Sequence, residues 1–298
     1  MYDGIAEKLR IASKVLKLST DFFQDRGFVQ LLPVMLGAST DPLGPDPGSS
    51  VIKTPEVEYG GQVLYTMNSM ILHKQVAVRS LGKIFIMSPN IRLERPERGA
   101  TGKHLFEFTQ IDFEIAHAKK EDVMHIVEDY LEYVSKGVAE SGEFQRLGIA
   151  PFQFKPPFKV YTTHELEESF GKDWELEASR AHEQPFWALC HKREFYDKED
   201  EGKPGHYLNY DLVYPLGFGE ALSGGEREFE YGRILERMGK DRLKKEIYAA
   251  YLKEAEKGFV PSAGGGLGVE RLVRFLTKSK HVGDVQLFRR VPGEAVSI

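Results

Sequence analysis

The sequence predicts an α+β fold in one large domain, residues 1–298. Three observations carry that expectation. Residues 3–26 and 119–141 place apolar side chains at helical spacing. Between them, residues 89–114 (PNIRLERPERGATGKHLFEFTQIDFE) read as two strands joined by a charged, glycine-containing loop. A hydrophobic content of 41% supplies a sizeable core, and the length suits one large α/β or α+β domain.

In chain order, Ile5, Leu9, Ala12, Leu16 and Phe23 give the first helix its apolar face, and Gly27 stops it as a C-cap. Residues 28–35 (FVQLLPVM) read as a strand with Pro33 at an edge or junction, because proline cannot donate to a ladder. Residues 37–50 (GASTDPLGPDPGSS) form a long loop, a lid or a surface excursion, in which Asp41 and Asp46 are candidates for a ligand amine. A strand over 63–67 and a short helix over 69–79, carrying His73, Lys74 and Gln75, come next.

In the 89–114 hairpin Arg92 and Glu94 project from one face of the first strand. On the return strand Phe108, Gln110 and Asp112 share a face, and Ile111, Phe113 and Ile115 share the other. The apolar set belongs in a core; the polar set is suited to a ligand. The 119–141 helix buries a stripe of Val123, Ile126, Val127, Tyr130, Leu131 and Val134. Residues 151–207 are less regular. They hold an acidic helical piece around 165–179, a strand candidate at 187–189 and a charged loop, DKEDEGKPG, read as a solvated turn. Trp187, His191 and Tyr196 are read either as pocket residues or as simple packing.

Residues 210–229 (YDLVYPLGFGEALSGGEREF) place Asp211 and Glu220 on two strands either side of a Pro/Gly turn. Two carboxylates at one sheet end suit Mg²⁺, which takes oxygen ligands and keeps waters and substrate phosphates. Arg227 can meet a carboxylate as a two-pronged fork. Helices are expected over 228–238 and 241–257, the second capped by Asp241 and stopped by Gly258. In residues 264–276 (GGGLGVERLVRFL) the glycines, Gly268 among them, allow close approach, and Arg271 sits in the first turn of a helix whose N-terminus favours anions. The run is not a dinucleotide fingerprint, since no βαβ unit with an acidic residue ~20 positions on follows it.

The formal charge of −5 and pI near 6.0 argue against a surface built to grip nucleic acid. The single cysteine, Cys190, excludes an intrachain disulfide and fits a reducing compartment. There is no basic-then-apolar leader and no apolar run of the ~20 residues that would span a bilayer. A cytoplasmic protein with no membrane contact is the expectation. Arg92 and Arg271 for phosphates, Phe108 for a base, Asp211 and Glu220 for magnesium and Arg227 for a carboxylate together suit activation of a carboxylic acid by ATP.

FFQDRGFVQLLP, IRLE with KHLFEFTQIDFE, and GGGLGVERL resemble motifs one, two and three of class II aminoacyl-tRNA synthetases. HLFEFTQIDFE and HVGDVQLFRRVPG are similar to the aspartyl and asparaginyl branch, and DLVYPLGFGEALSGGERE leans to its asparaginyl side. The resemblance implies an antiparallel sheet flanked by helices, and a homodimer through motif one around Pro33. It implies ATP and Mg²⁺ as cofactors. Arg92 would hold the α-phosphate, Phe108 and Arg271 would sandwich the adenine, and His104 would reach the terminal phosphates. Glu94 and Gly268 would complete the nucleotide site, with Asp211 and Glu220 on the metal. Ser69, Lys74, Gln110 and Asp112 would face the amino acid, and Arg227 would pair with one of its carboxylates. Arg92 and Arg271 are the catalytic expectation.

Two departures from the family pattern touch the amino-acid side. Residues 68–75 read NSMILHKQ, with Ile71 where a glutamine is expected, and STDPLGPDP replaces a Glu-Gly-Gly loop. The motifs begin at the first residues, so the expectation is a catalytic core with no anticodon-reading domain before it. The chain is therefore similar to free-standing archaeal cores that make asparagine. The implied reaction joins L-aspartate and ammonia through a β-aspartyl-adenylate, releasing AMP and pyrophosphate, with tRNA not expected as a partner. The alternatives are a synthetase paralogue that passes an activated amino acid to another acceptor, and a non-catalytic amino-acid or nucleotide sensor.

Overall fold

The computed structural model of the chain describes residues 4–43, 51–191, 193–296 and 298. Asp46 lies outside the described residues. Helix α1 (Ile5–Asp25) buries Ile11, Val15, Ser19, Phe22 and Phe23. This corrects the expected apolar face. Of the five positions read from the sequence only Phe23 is buried, and Leu16 is 37% exposed. The buried face is set by a later helix, whose Tyr130 meets Phe22 edge-on and bonds Ser19 Oγ at 2.8 Å. Gly27, at φ 77°, ends α1: its N–H reaches Gln24 O at 2.9 Å and that of Phe28 reaches Phe23 O at 3.0 Å.

Strand β1 (Val29–Leu31) stops before Pro33, shorter than expected. Short strands β2 (Leu36–Gly37), β3 (Val51–Lys53), β4 (Glu56–Tyr59) and β5 (Gln62–Thr66) lie outside the main sheet. Helix α2 (Ile71–Leu81) leads into β6 (Lys83–Ile91). The expected hairpin forms between β6 and β8 (Glu107–Ala116), with Phe85 opposite Phe113 and Ser88 opposite Gln110. Its connection holds the two-residue β7 (Leu93–Glu94) and a 3₁₀ turn, Pro96–Thr101. Arg92 and Glu94 do not share a regular strand. The Glu94 N–H turns back to Arg92 O at 2.7 Å, while the Arg92 N–H reaches Phe106 O at 2.8 Å.

Helices α3 (Lys120–Ala139) and α4 (Glu143–Leu147) follow. The irregular stretch resolves into β9 (Lys159–Thr162), α5 (Thr163–Phe170), α6 (Trp174–Ala181) and β10 (Phe186–Leu189). Then come β11 (Asn209–Tyr214), β12 (Gly219–Glu226), α7 (Tyr231–Lys240), α8 (Ala249–Glu256), β13 (Ser262–Gly268) and α9 (Val269–Leu276). The expected helix over 241–257 is broken. Asp241 ends α7 rather than starting a helix, because Arg242 turns at φ 55° and a short 3₁₀ segment precedes α8.

Eight strands make the main sheet in the order β1-β6-β8-β13-β12-β11-β10-β9. Its six inner strands pair antiparallel, whereas the outer pairs β1/β6 and β9/β10 are parallel, so the sheet is mixed rather than purely antiparallel. Ile111, Phe113 and Ile115 turn into an apolar core with Phe23, Phe85, Val127 and Leu131. Trp187 belongs to that core, its indole N–H donating to Glu128 Oε1 at 2.9 Å. The opposite face of β8 carries the polar residues. There β13 needs glycine: a Cβ on Gly264 would lie 2.1 Å from Phe113 O and 2.4 Å from Glu114 Oε2. No helix among the described residues is long and apolar enough to cross a membrane.

Candidate active site

Two cavities meet over the polar face of the sheet. One is lined by Arg92, Glu94, Lys103, His104, Phe108, Glu220, Gly268, Glu270 and Arg271, among others. The other includes Ser69, Lys74, Asp112, Arg193, Glu194, Asp197 and Arg227. Arg92 and Gln110 line both, so they mark the junction.

In the first cavity the Arg92 guanidinium lies 5.3 Å from the Phe108 ring centroid, and its Nε donates to Asn68 O at 3.0 Å. Arg271, in the first turn of α9, reaches across to β12. Its Nη1 is 3.1 Å from Glu220 Oε1, and its Nε donates to Lys103 O at 3.3 Å. Burial disfavours charge on Glu220, yet the cations Arg271, Arg193, Lys103 and Arg92 hold its carboxyl well below the usual range. His104 is pushed down to about 3 by burial and by the neighbouring cations Arg271 and Arg98, so its ring is neutral. Nε2 accepts from Arg98 at 2.7 Å, which leaves the proton on Nδ1, 2.5 Å from Thr101 Oγ1. Both ring nitrogens are thus engaged. Glu270, missed in the sequence, accepts the Thr109 N–H at 3.0–3.1 Å, and burial raises its carboxyl to about 7.

The second cavity is dominated by buried ion pairs. Lys74 Nζ contacts Asp112 Oδ1 at 2.8 Å and Gly265 O at 3.1 Å. Among the described residues the buried Asp112 Oδ2 has no hydrogen-bond partner. Arg227 is 4% exposed and faces inward. Nε lies 3.1 Å from Glu114 Oε1, Nη1 is 3.0 Å from Asp197 Oδ1, and Nη2 donates to Gly264 O at 2.9 Å. The fork expected to meet a ligand carboxylate thus contacts carboxylates of the chain itself, while Arg227 still lines the cavity. Asp197 opens the loop read as a solvated turn, but is only 2% exposed. Tyr196 lines the cavity and donates to Asp41 Oδ2 at 3.0 Å, which ties the 37–43 stretch to the site.

Arg193, Glu194, Asp197 and Glu114 were not singled out from the sequence. Cys190, at φ 69°, turns the chain out of β10 and carries Arg193 over β11 and β12, where it donates to Asp211 Oδ2 and Ser223 Oγ. Asp211 and Glu220 come close enough to repel, but they do not share a cavity wall. Glu220 lines the nucleotide-side cavity, whereas Asp211 is held by Arg193. Burial, with help from Glu220, lifts the Asp211 carboxyl to about 7 against the pull of Arg193. Among the described residues no group of three or more His, Cys, Asp or Glu side chains forms a metal cage. One ionised carboxylate beside a phosphate site still fits Mg²⁺, which commonly takes one or two protein carboxylates.

A family model, tRNA synthetases class II (D, K and N), matches residues 2–292. The asparagine–tRNA ligase of Thermoplasma acidophilum is 26% identical over 290 residues, covering 90% of this chain and 65% of that protein. The asparagine–tRNA ligase of Pyrococcus abyssi is 27% identical over 308 residues, covering 95% and 68%. The chain thus spans about two thirds of the length of these relatives. The crystal structure of asparaginyl-tRNA synthetase from Pyrococcus horikoshii complexed with asparaginyl-adenylate superposes with a TM-score of 0.87 at 24% identity, over 99% of this chain and 70% of that one. These relatives are named for ligating asparagine to tRNA. That finding overturns two expectations, an asparagine synthetase fed by ammonia and a protein for which tRNA is no partner. With matched motifs, a matched fold and a family model running almost end to end, the chain belongs to the class II tRNA synthetases.

Proposed function

We propose that the chain activates asparagine or aspartate with ATP as an aminoacyl-adenylate and passes the acyl group to tRNA. The observation that carries this reading is the junction of the two cavities at Arg92 and Gln110. A nucleotide stacked on Phe108 would present its α-phosphate to Arg92, beside an amino acid in the second cavity. A carboxylate oxygen attacks the α-phosphorus as the bond to pyrophosphate breaks. Arg92 stabilises charge on the phosphoryl oxygens and Arg271 holds the nucleotide from the opposite side. Neutral His104 offers no repulsion to the cations that surround the phosphates. Mg²⁺, where bound, would offset the charge of the departing pyrophosphate, with Glu220 as its protein ligand.

The second cavity suits an ammonium at its inner end. There Lys74 and Arg227 face three carboxylates, Asp112, Glu114 and Asp197, with Asp112 Oδ2 unpartnered. Ser69 and Gln110 line its rim. The acceptor step is acyl transfer from the adenylate to a terminal ribose hydroxyl, with AMP leaving. A homodimer belongs to the same reading and rests on the apolar face around Leu31, Leu32, Val34 and Met70.

The test is ATP–pyrophosphate exchange with asparagine and with aspartate, followed by charging of deacylated tRNA with the radiolabelled amino acid. Exchange that requires one of the two amino acids, and acid-precipitable label on tRNA, are the expected results. Exchange without any transfer to tRNA would restrict the activity to adenylate formation. No amino-acid-dependent exchange would overturn the proposal.

A further inference from the structure

Four contacts from four separate segments close a ring at the mouth of the nucleotide cavity. Glu175 Oε1, from the first turn of α6, accepts from Lys103 Nζ at 2.7 Å. Lys103 O accepts from Arg271 Nε at 3.3 Å, and Arg271 Nη1 meets Glu220 Oε1 at 3.1 Å. The Glu220 N–H returns to Glu175 Oε1 at 3.4 Å, the longest link. Lys103, Glu220 and Arg271 line the cavity, whereas Glu175 stands outside that lining. One helical turn further along α6, the fully buried Ser179 grips the turn between β11 and β12. Its Oγ donates to Tyr214 O at 2.6 Å and accepts the Gly217 and Gly219 N–H groups at 3.0 and 3.3 Å. Residues four apart share one helix face, so α6 holds that turn and the start of β12 at two points. Gly219, at φ 77°, makes the approach possible: a Cβ there would lie 2.9 Å from Glu175 Oε1.

We propose that Glu175 is a positioning residue for ATP activation, fixing Lys103 and the main chain of Glu220 so that Arg271 and Glu220 are set against the bound nucleotide. The inference rests on the adenylation reading above and adds to it a residue that touches neither substrate. Lysine carries its charge on a flexible four-carbon stem, so an unpaired Lys103 would be loosely held. Pairing with Glu175 steadies the segment whose carbonyl orients the Arg271 guanidinium. Glu220 depends on Glu175 from the other side. Its carboxylate stays at the cavity mouth only while the start of β12 is held, and Glu175 and Ser179 are the side chains of α6 that hold it. Global stability is not what the contact serves. The Lys103 and Glu175 side chains are 32% and 35% exposed, and ion pairs so open to solvent contribute little to folding. Its use is geometric, since it ties α6 to the two charged groups that face the phosphates.

The experiment measures binding directly as well as turnover. Titration calorimetry of ATP with Mg²⁺ is run beside ATP–pyrophosphate exchange on the intact chain and on Glu175→Ala, Glu175→Gln, Lys103→Met and the Lys103→Met/Glu175→Gln double variant. Glu175→Ala should raise both the dissociation constant and the Mg²⁺ concentration for half-maximal exchange by about tenfold, the low end of what losing a partner that orients a ligand costs. Glu175→Gln keeps an oxygen for the Glu220 N–H and should recover part of the loss. In the Lys103→Met background Glu175→Gln should have no further effect, because its charge acts through Lys103. Asparagine and aspartate affinities should stay within about twofold of wild type. Glu177→Gln, which removes an exposed carboxylate of the same helix paired with Arg180, is the control and should match wild type. Melting temperatures should stay close to wild type throughout, which separates positioning from folding. Should Glu175→Ala melt early, Glu175→Gln and the double variant still decide the matter. Unchanged nucleotide binding and Mg²⁺ dependence in the Glu175 variants, an equal loss in Glu177→Gln, or additive losses in the double variant would overturn the inference. Failure of the intact chain to show amino-acid-dependent exchange would instead sink the adenylation reading, while the ATP titrations would still test the role of Glu175.

Discussion

Arg271 and Glu220 face one another at 3.1 Å, from the first turn of α9 and the start of β12. The contact spans the mouth of the nucleotide cavity and brings a carboxylate to the place where phosphate charge would gather. Glu220 stays ionised because Arg271, Arg193, Lys103 and Arg92 outweigh its desolvation. Glu220→Gln keeps the shape and removes the charge. The expected outcome is a rise of about tenfold or more in the Mg²⁺ concentration for half-maximal ATP–pyrophosphate exchange. An unchanged Mg²⁺ dependence would show that the metal is held by other groups.

Arg92 is the cation common to the two cavities, aligned by Asn68 O and by the Phe108 ring. Removing a preorganised charge partner of a phosphoryl transition state costs about 10²-fold or more in rate. Arg92→Ala should therefore slow exchange by at least that factor. Single-turnover adenylate formation by rapid quench reads the chemical step directly, and a near-normal rate would reject the assignment.

Arg227 predicts a different phenotype from the one its motif suggests. It is enclosed by Glu114, Asp197 and Gly264 O, so Arg227→Ala takes its cation from buried Asp197 and leaves Glu114 only the more distant Lys74, at 3.9 Å. Breaking a buried pair in that way costs about 3–5 kcal/mol. For a chain of this size the melting temperature should fall by on the order of 10 °C. Scanning calorimetry checks this, and ATP titration at low temperature should show nucleotide binding kept. A melting point within a degree or two of wild type would contradict the packing role.

The contrast between Arg92 and Arg227 shows what the sequence makes legible. Arg92, Phe108, Gln110 and Asp112 lie on one hairpin, where alternation along β8 sorts the ligand face from the core face directly. The function of Arg227 depends on Glu114, 113 residues away, and on Asp197, 30 residues away. No local pattern announces such pairings. Arg193 was hidden for a similar reason, since its significance comes from the turn at Cys190 and from Asp211 and Ser223 on other strands. The α1 face was misplaced because amphipathic spacing gives a stripe but not which shoulder of it meets Tyr130. Helix breaks such as Arg242, with φ positive in a non-glycine residue, leave almost no trace in composition.

Glu194 links the site to pH. Burial, then the charge of Asp41, raises its carboxyl to about 8, with Arg193 pulling the other way and Asp197 adding to the rise. An acid whose folded value lies above its unfolded one holds a proton in the native state that the unfolded chain releases. Its contribution to stability is present at low pH and is lost as pH rises from about 4.5 towards 8. Glu194→Gln removes that dependence. The difference in melting temperature between wild type and Glu194→Gln should drift in favour of the variant across that window. A pH-independent difference would mean that the carboxyl is already ionised in the fold.

The surface around β1 and α2 carries the prediction on assembly. Leu32 is 91% exposed and Met35 45%, beside an apolar cavity lined by Leu31, Val34, Met70, Val76 and Ala77. A contiguous apolar patch of this kind is costly to leave in water, and a second copy presenting the same patch would cover both at once. Pro33 limits the strand to three residues and turns Leu32 outward instead of into the sheet. Wild-type protein should therefore sediment as a dimer at micromolar concentration. Leu32→Glu buries a charge in that contact and should shift the species to monomer, with the far-UV spectrum unchanged because Leu32 supports nothing within its own chain. A monomeric wild type, or a Leu32→Glu variant that stays dimeric, would remove this face from the assembly.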